Sequence, residues 1–64
     1  MSKDKNLKER FLKIYANLPL GLRSEIICVV EDQPISWNVA FIEIDQDTPK
    51  SKIILETLDK LDLI

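Results

Sequence analysis

The chain has 64 residues, of which 45% are hydrophobic and 31% charged, with one cysteine, no histidine and a formal net charge of −2. This is the composition of a soluble globular domain, and a chain of this length supports one small core that buries roughly 60% of the unfolded surface. The longest apolar run, Ile26 to Val30, is five residues, far short of the ~20 that span a bilayer.

The lone Cys28 has no partner for an internal disulfide, so a reducing, cytoplasmic compartment is expected. The opening Met1-Ser2-Lys3-Asp4-Lys5-Asn6 leads into spaced apolar residues interrupted by charge, which is not the pattern of a signal peptide. Charge is unevenly spread. Through Arg23 there are six basic residues against two acids, and from Ser24 onward three lysines against nine acids. Such asymmetry either steers a partner or lets two halves of one small body attract each other, and we take the second as the default.

Leu7, Phe11, Ile14, Tyr15 and Leu18 fall on one stripe of a 3.6-residue helix, with Lys5, Lys8, Glu9 and Lys13 on or near the other face. The spacing predicts an amphipathic helix over about residues 4–17, ended by Leu18-Pro19 because a residue before proline is biased away from helical backbone. Met1 to Lys3 are expected to be disordered. In the connector that follows, Gly21 is suited to a positive φ, and Leu18, Leu20 and Leu22 are expected to lie across one edge of the core. If exposed, those leucines would instead form an interaction patch.

Glu25 to Val30 reads as the central strand, with Ile26, Cys28 and Val30 on one side and Ile27 and Val29 on the other. Both faces are apolar, so the strand demands cover on both sides. Glu31-Asp32-Gln33-Pro34 is turn-forming. Pro34 confines the returning strand, Gln33 to Trp37, to a short edge position, giving a hairpin over about residues 25–37.

Trp37 to Ile44 fits two patterns. As a strand it alternates Trp37, Val39 and Phe41 with Ala40, Ile42 and Ile44. As a helix it gathers Trp37, Ala40, Phe41 and Ile44 on one stripe, with Ser36 capping the first turn and Ile35 stapled to Ala40. Composition favours the strand, periodicity and capping the helix; a helix over residues 37–46 is preferred. Thr48-Pro49 then opens a C-terminal helix over about residues 49–61, the hydroxyl placed to cap free amides, with Ile54, Leu55, Leu58 and Leu61 as its apolar stripe. The fold class is therefore α+β in a single domain covering residues 1–64: an amphipathic helix, a short antiparallel hairpin, and a C-terminal helix or helices.

Little here carries chemistry. Without histidine, the commonest general base and neutral metal ligand are missing, and Ser-His-Asp and Cys-His arrangements are excluded within one chain. Cys28 sits in an apolar strand, where it behaves as a small buried hydrophobe. Asp45, Asp47 and Glu56 imitate part of a calcium loop, but Pro49 and Lys50 occupy positions that need an oxygen ligand and a glycine. The carboxylate sets Glu31-Asp32 and Glu43-Asp45 read as solvated acids of a turn and a helix end. No cofactor, metal or membrane is expected.

What remains is association. The expected role is that of a non-enzymatic protein-interaction or regulatory module, working as a homodimer or as a small neutralising, antitoxin-like subunit. Leu20, Leu22, Trp37, Leu63 and Ile64 are the candidate interface residues. The alternative is a nucleic-acid-binding protein that uses Lys5, Lys8, Arg10 and Lys13 on the basic face of the first helix. Asp4 and Glu9 interrupt that run, and Phe11 and Tyr15 lie on the apolar stripe, where they give no stacking platform.

Overall fold

A computed structural model describes the backbone of residues 3–64 and the side chains from Asn6 onward. It is an α+β fold: helix α1 (Lys3–Ala16), a 3-10 turn (Leu20–Leu22), strands β1 (Ile26–Val30) and β2 (Gln33–Ser36) in one antiparallel hairpin, then helices α2 (Trp37–Asp45) and α3 (Pro49–Lys60). Helix α1 begins at Lys3, and Met1 and Ser2, where disorder is also expected, lie outside the described residues. Among the described residues, no helix is long and apolar enough to cross a membrane.

The core is drawn from both strands and all three α-helices. Leu7 and Phe11 of α1, Cys28 and Val30 of β1, Ile35 of β2, Trp37, Ala40 and Ile44 of α2, and Ile54, Leu55 and Leu58 of α3 are all buried together with Ile64. Fully burying side chains such as Phe11, Ile35, Ile44, Ile54 or Leu58 contributes about 1.5–3 kcal/mol each. Leu12, Ile14, Tyr15, Leu18, Ile27 and Phe41 pack around this centre half-buried.

Trp37 to Asp45 is helical, and the reason lies at its start. Ser36 holds an extended backbone, and its hydroxyl accepts from the Val39 amide at 3.1 Å. This satisfies one of the donors that a helix leaves free at its first turn. The alternating pattern that composition suggested would have placed Ile42 and Ala40 on one face; the helix separates them, burying Ala40 and leaving Ile42 outside.

The hairpin departs from strict alternation. Val30 pairs with Gln33, Val29 with Pro34 and Cys28 with Ile35, but Ile26 pairs with Ser36, so β1 carries one extra residue between Ile26 and Cys28. A bulge of this kind turns the strand and changes which way the following side chains face. Ile26 is consequently 59% exposed while Cys28 and Val30 remain inside, and Val29, on the other face, is 63% exposed. The strand is buried on one face only, which corrects the sequence reading of Ile26 as a core neighbour of Cys28.

Four further expectations are corrected. Gly21 lies in the 3-10 turn without a positive φ; the left-handed positions belong to Glu31, Asp32, Asp47 and Asp62. Leu20 and Leu22 do not cover the core and are exposed, with only Leu18 packed against it. Thr48 precedes Pro49 as expected, but its hydroxyl makes no cap to α3 and bonds the Glu43 main-chain and side-chain oxygens instead. Leu61 ends α3 exposed, outside the stripe assigned to it.

Both C-terminal helices end in the same way. The Asp47 amide donates to Ile44 O and the Thr48 amide to Glu43 O; the Asp62 amide donates to Asp59 O and the Leu63 amide to Leu58 O. These are paired 5→2 and 6→1 bonds around a left-handed residue, the Schellman arrangement that usually carries glycine. Here Asp47 and Asp62 occupy the left-handed position. The second of these turns reverses the chain after α3 and sends Ile64 into the core.

Candidate protein-interaction surface

Several large apolar residues are exposed on this small body: Leu20, Leu22, Ile26, Val29, Val39, Ile42, Ile53, Leu61 and Leu63. Scattered singly they would need no explanation. Four of them, Leu22, Ile26, Val39 and Ile42, lie on or beside segments that main-chain hydrogen bonds tie together. The Asn38 amide donates to Arg23 O at 2.9 Å and the Trp37 amide to Glu25 O at 3.3 Å, binding the segment after the 3-10 turn to the start of α2. Leu22 and Ile26 flank that segment. Val39 and Ile42 stand one helical turn apart on the outward side of α2.

A polar and aromatic brace holds the base of this surface. Tyr15 stacks on Phe41 with ring centroids 4.4 Å apart, Phe11 lies 6.0 Å from Tyr15 and 5.8 Å from Trp37, and the Arg23 guanidinium sits 4.6 Å from the Tyr15 ring centroid. Arg23 Nη2 donates to Tyr15 O at 3.4 Å, while its buried Nε finds no hydrogen-bond acceptor among the described residues. The aromatic face partly compensates the buried cation. The brace fixes the angle between α1, α2 and the entrance to β1.

Of the interface residues expected from sequence, Leu20 (79% exposed), Leu22 and Leu63 are accessible. Trp37 and Ile64 are not: they are 8% and 7% exposed. Trp37 opens α2 with its ring turned to Phe11, so it anchors the core. Ile64 is drawn inward by the turn at Asp62, and its main-chain oxygen accepts from Arg10 Nη2 at 2.6 Å. Ile26, Val39 and Ile42 were missed as surface residues. The bulge that exposes Ile26 leaves no trace in composition, whereas Val39 and Ile42 fall off the helical stripe of Trp37, Ala40, Phe41 and Ile44 and were legible once the helix was chosen.

Among the described residues, two basic side chains of α1 are engaged within the fold. Lys8 Nζ pairs with Asp47 at 2.9 Å, and Arg10 lies 3.8 Å from Asp59 while also holding Ile64 O. Lys13 is exposed, and the Lys5 side chain lies outside the described residues. The positive first segment and negative remainder thus attract each other inside one chain, as the charge asymmetry implied.

A depression of about 360 Å³ lies beside Lys8, Asp47 and the start of α3. Its polar groups are occupied: Lys8 with Asp47, Thr48 Oγ1 with Glu43, and Ser51 Oγ with Thr48 O at 2.6 Å. Burial raises the Cys28 thiol above its ordinary pKa, which favours the thiol over the nucleophilic thiolate. The chain matches no protein family, no curated protein and no solved structure.

Proposed function

We propose that this protein is a non-enzymatic interaction module that binds another protein through the apolar surface where the 3-10 turn, β1 and α2 meet. The observation that carries the reading is the grouping of exposed Leu22, Ile26, Val39 and Ile42 on segments tied together by main-chain hydrogen bonds. Exposed apolar side chains on joined segments of a small body suit a binding site, because their removal from water supplies the driving force of association. The packing of Tyr15, Phe41 and Arg23 between α1, α2 and the entrance to β1 supports the same reading, since a preorganised surface loses less entropy on binding.

The test is affinity capture from native lysate with two baits: the wild-type chain and a Leu22→Ser, Val39→Ser, Ile42→Ser variant shown by circular dichroism to be folded. A protein retained by the first and lost with the second is the expected result. Identical retained sets would count against the reading.

A further inference from the structure

Acids neighbour these apolar residues along the chain, while Arg23, the cation beside Leu22, is turned onto the Tyr15 ring. Glu25 precedes Ile26, Glu43 follows Ile42, and Asp45 stands one turn beyond Ile42 on α2. These last two acids occupy the final turn of α2, which holds no basic residue, at the end where the helix dipole is already negative and a cation is the stabilising choice. Asp47 has Lys8 as its counter-ion, and Glu43 is bonded by the Thr48 hydroxyl. Asp45 is exposed, and neither of the ion pairs described above reaches it.

We propose that the partner is a protein segment that presents apolar anchors flanked by lysine or arginine, most simply a basic amphipathic helix laid along α2. This rests on the protein-binding reading and adds the chemistry of the partner. Two features favour it over a second copy of this chain. Joining two copies through this surface would bring Glu25, Glu43 and Asp45 of each into one acidic rim, a like-charge arrangement that disfavours association. A basic partner meets the same rim with opposite charge and also neutralises the unfavourable acids at the α2 terminus.

The experiment is an amide-resolved NMR titration of the labelled chain with two synthetic peptides of equal length, each with a leucine face, one carrying lysine on the opposite face and one glutamate. The lysine peptide should shift the amides of Leu22, Ile26, Val39 and Ile42 and bind more weakly as salt is raised. Ile42→Ser should weaken it about tenfold or more, and Asp45→Asn about two- to fivefold. Glu31→Gln with Asp32→Asn, at the hairpin tip, should leave it unchanged.

Equal binding of the glutamate peptide at the same amides would overturn the charge inference and leave the protein-binding reading standing. Shifts centred on the hairpin tip would overturn it as unspecific attraction to acids. Concentration-dependent shifts of these amides without peptide, matched by a dimer in sedimentation, would overturn it in favour of a second copy. Silence to both peptides overturns the inference; the protein-binding reading falls with it only if lysate capture is also indifferent to the surface variant.

Discussion

The Tyr15 hydroxyl donates a 2.8 Å hydrogen bond to Asn38 Oδ1, joining α1 to the first turn of α2. The same ring stacks on Phe41, so one side chain supplies a polar and an apolar tie between two helices. Tyr15→Phe keeps the stack and removes the bond, and should lower unfolding free energy by about 1 kcal/mol. Asn38→Ala should cost a similar amount, and the double variant little more than either alone, because both delete one interaction. Urea midpoints for the four proteins check this. Full additivity would show that the hydrogen bond contributes nothing.

Val30 and Gln33 close the hairpin across Glu31 and Asp32, whose φ values are 52° and 66°. Two consecutive left-handed residues between paired strands define the type I′ turn, for which Asn-Gly is the favoured pair. A glutamate there carries a Cβ in a region that disfavours it. Glu31→Asn with Asp32→Gly should therefore stabilise the protein by about 1 kcal/mol. For a domain of this size that is a rise of roughly 4–8 °C in Tm. A calorimetric scan that shows no rise would mean that strain at the turn is already relieved.

The order of elements was legible because helices α1 and α3 follow the 3.6-residue period, with Leu7 and Phe11 or Ile54 and Leu58 falling on the buried side. The hairpin was legible from its apolar run, acidic turn and Pro34. Hidden features share one cause, a local geometry reached by residues that do not advertise it. The bulge at Ile26 and Cys28 contains no glycine, and the Schellman turns at Asp47 and Asp62 carry aspartate where glycine would have announced them. Ile64 was misplaced for that reason, since the turn at Asp62 is what buries it. The surface could be read only after α2 was known to be a helix, because Val39 and Ile42 lie on opposite faces of a strand and on one side of a helix.

Ser36 ends β2 and caps α2 through its 3.1 Å acceptance from the Val39 amide. Ser36→Ala leaves that amide unpaired and should cost about 1 kcal/mol, within a range of 0.5–2. Ser36→Gly should cost only a few tenths, since glycine lets water reach the amide and suits the cap backbone. The ranking is the diagnostic. If Gly proves worse than Ala in chemical denaturation, Ser36 contributes mainly as a strand residue and the capping account fails.

Cys28 is buried on the inner face of β1, opposite Ile35, and desolvation holds its thiol above the ordinary value of 9.0. In the unfolded chain the thiol ionises near that value, while in the folded protein it keeps its proton to higher pH. Between the two values the folded state binds more protons than the unfolded one, so unfolding free energy declines as pH rises. The contribution is fully present below pH 9.0 and is lost above it as pH climbs towards the folded-state value. The decisive quantity is the difference between wild type and Cys28→Ala across the same pH series, which isolates the thiol. The wild type should lose stability more steeply, and its thiol should react with a disulfide reagent at neutral pH only after denaturant is added. Parallel pH profiles together with immediate labelling would place Cys28 in contact with water, contrary to its position in the core.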